Sequence, residues 1–275
     1  MPSRFRFQGH AIGAGGRIRN PFQEIIEIQA PSALPEIGGY GSTRSTTFRY
    51  REILQFEVAH TEVTGSRSTA SGGQPVYNTL IKSTVEGLNI MGMVTADRVV
   101  ANLVSEHPGE PDGEPSIKLA GTRFENLKIA GVPVKVDLCL DVFDRLHTHQ
   151  HVLNAYQGEP EFRRLFDGIT MKNRLQEAPE RVRRWFHGAP EDGREMPHTK
   201  GITCLSLVRS LQPDRPPEYK GWGHVIHVEG FGTIQLAELQ LSKQTRRLTM
   251  IQVNLGSPVE GDIMTCSVDD GGSTY

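Results

Sequence analysis

Hydrophobic and polar residues alternate along much of this chain, a pattern typical of β-strands with one buried and one solvated face. It is clear in residues 48–58, where Phe48, Tyr50, Leu54, Phe56 and Val58 share one side of a predicted strand. Arginines and other polar residues occupy the opposite side of this segment. The pattern predicts antiparallel sheets, because such sheets commonly pack on one face only.

One phrase with this alternation occurs twice, as Val85-Glu86-Gly87-Leu88-Asn89-Ile90-Met91-Gly92 and as Phe124-Glu125-Asn126-Leu127-Lys128-Ile129-Ala130-Gly131. Both copies contain Glu-x-Leu-x-Ile-x-Gly. The spacing directs Leu and Ile inward on a strand, and the final Gly ends or bends that strand. We therefore interpret the phrase as a strand-and-bulge unit that builds a sheet, rather than as a chemical motif.

Other segments predict long or bent strands. Residues 132–142 place six aliphatic residues on one face, which predicts a single long strand. The apolar phase slips between Leu236 and Leu239 and again between Met250 and Ile251, and each slip indicates a β-bulge. Bulges of this kind suit strongly curved sheets.

The pattern changes to helical spacing in residues 148–190, which predicts two or three helices inserted between strands. We therefore predict a mainly β protein, a curved antiparallel β-sandwich or open barrel, with a small helical insert at about 148–190. Residues 1–275 are expected to form a single β-rich domain, a size that all-β domains reach.

Small residues mark the first predicted strand, where Phe5, Phe7, Gly9, Ala11 and Gly13 share one side. A strand face without bulk lets another sheet or a neighbouring chain approach its backbone closely. This face is one reason to expect a homo-oligomer.

Composition and charge restrict the partners. The net charge is −2 and acids and bases are interspersed, so we expect no nucleic-acid partner. No window is apolar enough for a membrane span, and none is expected. Without an apolar leader, the protein is expected in the cytoplasm, or at the surface or secreted if a leader was removed. The three cysteines lie far apart, which predicts buried free thiols.

The strongest candidate for chemistry is His147-Thr148-His149-Gln150-His151. On a strand, His147, His149 and His151 would project from one face and could together bind a divalent transition metal. The alternatives are a solvated junction between a strand and a helix, or a pH-sensitive interface. No other cofactor is expected.

The segment from Ser83 to Val99, the opening Gly9-His10-Ala11-Ile12-Gly13 and the loop Leu34-Pro35 to Gly38-Gly39 resemble bacterial β-rich surface proteins of the choice-of-anchor P kind. The resemblance implies a β-rich module used for structure or adhesion, and no catalytic residues carry over. The chain departs from that pattern in its helical insert and in the absence of a signal peptide and a C-terminal anchor.

These observations favour a non-enzymatic structural or interaction protein that self-associates or binds a macromolecular or glycan partner. The alternative is a β-barrel ligand-binding protein or enzyme with a histidine-lined, metal-containing cavity.

Overall fold

The computed structural model describes residues 5–110, 113–159, 198–199, 202–212, 219–222, 225–256 and 258–274. The first strands in chain order are β1 (Phe5–Arg6), β2 (Gly9–Asn20), β3 (Glu24–Gln29), β4 (Ser32–Ala33), β5 (Gly39–Tyr50), β6 (Leu54–Thr69), β7 (Pro75–Ile90), β8 (Val94–Pro108), β9 (Ser116–Lys118), β10 (Arg123–Glu125), β11 (Lys128–Ile129), β12 (Val132–Pro133) and β13 (Lys135–Leu138). Two helices follow, α1 (Val142–Arg145) and α2 (His149–Gly158). The remaining strands are β14 (His198–Thr199), β15 (Ile202–Ser206), β16 (Val208–Gln212), β17 (Tyr219–Trp222), β18 (Val225–Val228), β19 (Gly232–Leu241), β20 (Arg246–Leu255), β21 (Glu260–Asp270) and β22 (Ser273–Thr274).

Most strands belong to two antiparallel sheets. The first has eight strands in the order β12-β11-β8-β7-β6-β5, with β9 and β10 also paired to β8. The second has ten strands in the order β14-β15-β19-β20-β21-β2-β3, with β4, β17 and β18 attached beside this path. The pairs β1–β22 and β13–β16 form two small sheets. The prediction of a mainly β sandwich is confirmed, and the described strands close no barrel.

The two large sheets pack face to face, with β2 and β21 of the second sheet against β6, β7 and β8 of the first. The Ser83 hydroxyl donates to the Ile12 carbonyl across this interface at 2.8 Å. Buried side chains from both sheets form one hydrophobic cluster.

The small residues of β2 make this close approach between the sheets possible. A Cβ atom added at Gly13 would lie 2.6 Å from the Cβ of Ala59, on β6. One added at Gly9 would lie 2.9 Å from Cδ1 of Ile81, on β7. The small-residue face predicted from the sequence therefore receives the opposite sheet.

Both sheets carry a line of positions at which the pairing is interrupted on both neighbouring strands. In the second sheet Leu236 pairs with Ile251 and Glu238 with Thr249, so Ala237 and Met250 are skipped between them. This is the predicted phase slip, and the irregularity continues through Cys266 and Gly13 on β21 and β2. The first sheet has an equivalent line through Thr47, Glu57, Gly87 and Asp97. The register is the same on both sides of each interruption, so neither strand carries an extra residue, and the β-bulges predicted between Leu236 and Leu239 and between Met250 and Ile251 are not found there. The apolar phase slips because residues on these lines, among them Ala237 and Cys266, have positive φ.

The repeated phrase behaves as the sequence predicts. Its four aliphatic residues are buried, namely Leu88, Ile90, Leu127 and Ile129. Each copy ends in a turn whose two central residues have positive φ, Met91-Gly92 in the first and Ala130-Gly131 in the second. Positive φ at both positions defines a turn that matches the twist of a hairpin. Both copies pair with β8, from opposite sides.

The prediction of one strand over residues 132–142 is wrong. β12 ends at Pro133, which cannot donate a hydrogen bond to a neighbouring strand. The chain then changes partner, because β12 pairs with β11 whereas β13 pairs with β16. Helix α1 begins at Val142, within the predicted strand.

The helical insert is described only over α2, and the predicted helices beyond residue 159 lie outside the described residues. Thr148 caps α2, since its side-chain oxygen accepts from the His151 N–H at 3.1 Å. The Glu114 carboxylate accepts from the Gln150 N–H at the same end. No helix in the described part of the chain is long and apolar enough to span a membrane.

Candidate functional site

A groove of about 290 Å³ crosses the outer face of the first sheet, away from the core. Alternation along the strands explains the position, since β6, β7 and β8 direct one set of side chains inward and the other outward. The groove is lined by Arg44, Val58, His60, Lys82, Thr84, Glu86, Arg98, Val100 and Arg123. Four of these nine residues are Lys or Arg and one is a carboxylate, so the groove is basic.

The central lining residues form a row at right angles to the strands. Arg44 pairs with His60, His60 with Thr84, Thr84 with Val100, and Val100 with Arg123. The row therefore crosses β5, β6, β7, β8 and β10, and it begins and ends with an arginine. Val100 is 2% exposed although it lies outside the core cluster, so the surrounding groove side chains cover it.

The two glutamates of the repeated phrase hold Arg98 from opposite sides. Arg98 contacts Glu86 at 2.9 Å and Glu125 at 3.4 Å, and Arg123 donates to Glu125 at 2.7 Å. The hydrogen bond to Glu86, followed by the charge of Glu125, raises the pKa of Arg98. The hydrogen bond from Arg123 and the charge of Arg98 lower the pKa of Glu125, against the effect of burial. These groups are therefore ionised and held in position at neutral pH.

The other two cations of the groove are not neutralised in this way. The side chains of Arg44 and Lys82 make no hydrogen bond or ion pair with any residue that the structure describes. Glu62 is the cross-strand neighbour of Lys82, but its carboxylate lies 3.9 Å from Nε2 of His60 and forms no ion pair with Lys82. The groove thus presents two cationic side chains without an ion-pair partner beside an arginine that two glutamates hold.

A serine, a histidine and a carboxylate meet at the edge of the groove, but their arrangement is unsuited to nucleophilic catalysis. The Ser42 hydroxyl lies 2.9 Å from Nε2 of His60, and the nearest approach of Glu62 is to the same nitrogen. A catalytic triad instead requires the acid on the opposite ring nitrogen, where it orients the base. The geometry gives a polar hydrogen-bonding edge.

The three histidines predicted to bind a metal do not share a strand face. His149 and His151 belong to the first turn of α2, where residues two apart point in nearly opposite directions. The structure brings His147 and His151 together, with ring centroids 4.7 Å apart and the rings edge to face. Among the described residues, no group of three or more His, Cys, Asp or Glu side chains is arranged to hold a metal ion. Metal binding at His147, His149 and His151 stays a prediction.

The cysteines offer no reactive thiol in the described part of the chain. Cys139 and Cys266 are buried and free, as predicted. Burial raises the pKa of the Cys139 thiol to about 11 and that of Cys266 to about 12. Both are therefore protonated at neutral pH, and the side chain of Cys204 lies outside the described residues.

The sequence contains a signal for this groove that we interpreted only as architecture. The repeat places a glutamate at an outward position of each copy, and both copies flank the same strand. An arginine on that strand, Arg98, is the common neighbour of the two glutamates. Arg44, Lys82 and Arg123 carry no comparable signal, because they come together only through the register of four strand pairs.

Comparison with known proteins gives one match. No curated protein and no solved structure matches the chain. Residues 5–242 match the model of a family described as a domain of unknown function, DUF8256. This range includes the whole groove and most of both sheets, but it ends before β20 and β21. The chain therefore belongs to the DUF8256 family.

Proposed function

We propose that this protein is a non-enzymatic binding protein whose basic groove receives an anionic macromolecular partner. The observation that carries the proposal is the unpaired state of Arg44 and Lys82 among the described residues, next to the fixed Arg98. A cation without an ion-pair partner keeps its charge available, and an anionic partner gains attraction at both positions. Complementary charge also accelerates association and favours acidic partners over basic ones.

The shape of the groove supports an extended partner. It lies open across five strands, and its floor is a sheet surface rather than a closed cavity. Small-molecule sites usually bury most of their ligand in a concave, largely apolar pocket. A surface groove with a charged rim is better suited to a chain that continues beyond both ends.

The histidine-lined enzyme that the sequence left as an alternative receives less support. His60 is the histidine of the groove, and the described groove combines it with neither a metal-ligand set nor a correctly placed acid. Arg98 and Arg123 are also held by carboxylates as fixed charges, which suits recognition. Binding is therefore the simpler use of these side chains.

Self-association stays a prediction, as does the resemblance to choice-of-anchor P proteins. The two sheet paths end at β3 and β5, and Ile25 and Ile28 on β3 are exposed. Edge strands with exposed aliphatic residues can pair with another chain. This feature is compatible with a role as an interaction module.

The proposal is tested by reversing the two unpaired charges. We expect Arg44→Glu/Lys82→Glu to weaken binding of fluorescein-labelled dextran sulfate, a polyanion, by about tenfold or more at about 0.15 M NaCl. Fluorescence anisotropy at increasing NaCl measures the affinity and its salt dependence. The matched control is Lys128→Glu/Lys135→Glu, which makes the same change in net charge at exposed positions outside the groove.

The control variant should bind within about twofold of the wild type, because screening limits the effect of distant charges. Equal thermal melts of both variants exclude unfolding as the cause. Equal affinities of the wild type and the Arg44→Glu/Lys82→Glu variant would overturn the proposal. The proposal would also be overturned if the control variant lost as much affinity as Arg44→Glu/Lys82→Glu, since net charge rather than the groove would then govern binding.

A further inference from the structure

We infer that the partner of the groove is a linear acidic polysaccharide, lying across the strands and carrying carboxylate or sulfate groups. This inference rests on the proposed function and adds the chemical class of the ligand. It follows from the spacing of the cations, from the polar and aliphatic surface between them, and from the side chains that the groove lacks.

The cations are spread over a distance that a single small anion does not cover. Arg44 and Arg123 are four strand pairs apart, which corresponds to about 19 Å between their backbones. Lys82 and Arg98 lie between these ends, on the central strands β7 and β8. One phosphate or sulfate ion would reach one or two of these side chains. A chain with an anionic group at intervals reaches all four.

The floor between the cations has the groups that bind sugar rings. Thr84 and His60 occupy the centre of the row and offer hydrogen-bonding atoms to hydroxyl groups. Val58, which is partly exposed, offers methyl groups to the C–H surface of a ring. Ser42, bonded to His60 at 2.9 Å, extends the polar surface toward the rim. The floor is thus matched to a ligand that is itself hydroxyl-rich between its charges.

The groove is poorly suited to nucleic acid. Single-stranded nucleic acids bind with their bases stacked on aromatic side chains, and no Phe, Tyr or Trp lines this groove. Duplex binding depends on many phosphate contacts, whereas this groove is lined by four Lys and Arg side chains and the protein carries a net charge of −2.

An acidic protein segment is also disfavoured by the position of the groove. Extended peptides are usually recognised at a sheet edge, where unpaired backbone groups accept another strand. The groove lies on the face of β6, β7 and β8, whose backbones are paired within the sheet on both sides. Only side chains are offered here, which suits a ligand recognised by its charges and hydroxyl groups.

The test compares polyanions of similar charge and length on the full-length protein. Fluorescein-labelled heparin oligosaccharide provides sulfates, oligogalacturonate provides carboxylates, and oligo-dT and poly-glutamate represent the other classes. We expect at least one of the two acidic polysaccharides to bind about tenfold tighter than oligo-dT and poly-glutamate at the same ionic strength. Neutral dextran should not compete. The stronger of the two polysaccharides identifies the anionic group.

The groove variant separates this inference from the proposed function. Arg44→Glu/Lys82→Glu should remove the preference for the polysaccharide, whereas Lys128→Glu/Lys135→Glu should keep it. If oligo-dT or poly-glutamate binds as tightly as both polysaccharides and the groove variant weakens that binding, the inference is overturned and the proposed function stands. If Arg44→Glu/Lys82→Glu binds every polyanion as tightly as the wild type does, both the inference and the proposed function are overturned.

Discussion

The Asp270 carboxylate and the His107 ring form a buried hydrogen-bonded pair inside the sandwich. The Asp270 side chain is fully buried, and one of its oxygens lies 2.8 Å from Nε2 of His107. The Thr79 hydroxyl donates to the other oxygen at 3.0 Å. Burial acts to raise the pKa of Asp270, but the hydrogen bond and charge of His107, with the charge of Arg246, outweigh it and lower that pKa. The carboxylate is therefore ionised within the protein.

A lowered pKa makes Asp270 a source of acid sensitivity. Its stabilisation is complete above the ordinary aspartate pKa of about 4, and it is lost as the pH falls from there through the lower value of the folded state. We expect Asp270→Asn to lower the free energy of unfolding by about 3–5 kcal/mol at pH 7, because it removes the buried carboxylate that His107 and Thr79 hydrogen-bond and leaves the buried Arg246 without its counter-charge. Urea denaturation at pH 7, 5 and 3 measures this difference, which should shrink at pH 3.

The adjacent residue is the matched control. Asp269 pairs with Arg247 at the surface, so Asp269→Asn should cost less than about 1 kcal/mol at every pH. An equal cost for the two substitutions, or a cost for Asp270→Asn that stays constant down to pH 3, would contradict the assigned role of Asp270.

Single residues show what the sequence does and does not reveal. The alternation in residues 48–58 places Val58 with the inward residues, but the pairing is interrupted at Thr47 and Glu57, where Thr47 has positive φ, and the faces reverse. Val58 consequently lies in the groove. The pairing of His107 with Asp270, which are 163 positions apart, leaves no local pattern at all. Contacts of this kind depend on sheet order, which alternation alone does not determine.

At the scale of elements, the distance between the sheets is set where β2 crosses β6. Gly13 permits this approach, since its missing Cβ would lie 2.6 Å from the Ala59 Cβ. We expect Gly13→Ala to destabilise the protein by about 1–3 kcal/mol through overpacking. Adding Ala59→Gly should recover part of that loss, so that the double variant is more stable than the sum of the two single effects. Urea denaturation of the four proteins in the cycle measures this coupling.

Gly72 provides the control for that cycle. It lies in an exposed loop, and a Cβ added there meets nothing within 4 Å. Gly72→Ala should therefore change stability by about 0.5 kcal/mol or less. Additive effects of Gly13→Ala and Ala59→Gly would show that the two sheets do not meet at this point.

Elements were predictable where a local pattern determines them. Alternation identified the strands, the phase slip identified the irregularity at Ala237, and the final Gly of each repeat copy identified a position where a strand ends. The prediction failed at residues 132–142, where aliphatic alternation continues although the chain changes partner after Pro133. At the histidine junction, Thr148 begins a helix, and its capping role removes the alternation that a shared face requires.

At the scale of the whole molecule, the second sheet combines both ends of the chain. β2 and β3 come from the N-terminal segment, whereas β19, β20 and β21 follow residue 231. β20 and β21 lie between β19 and β2 in the strand order. Most of the central strands of this sheet therefore come from the C-terminal part of the chain. Two of them, β20 and β21, lie outside the range that matches the family.

This order predicts that a protein ending at residue 242 does not fold, although it contains the full family match. Removing β20 and β21 leaves β19 without its partner β20 and β2 without its partner β21. It also removes fully buried side chains of the core, including Leu248, Ile251, Val253, Ile263 and Val268. A protein ending at residue 270 keeps these strands and loses only the short β22, which pairs with β1. We expect cooperative thermal unfolding by circular dichroism for residues 1–270 and none for residues 1–242. A cooperative transition in the shorter protein would show that the first sheet and β2 are stable without the strands that join them to β19.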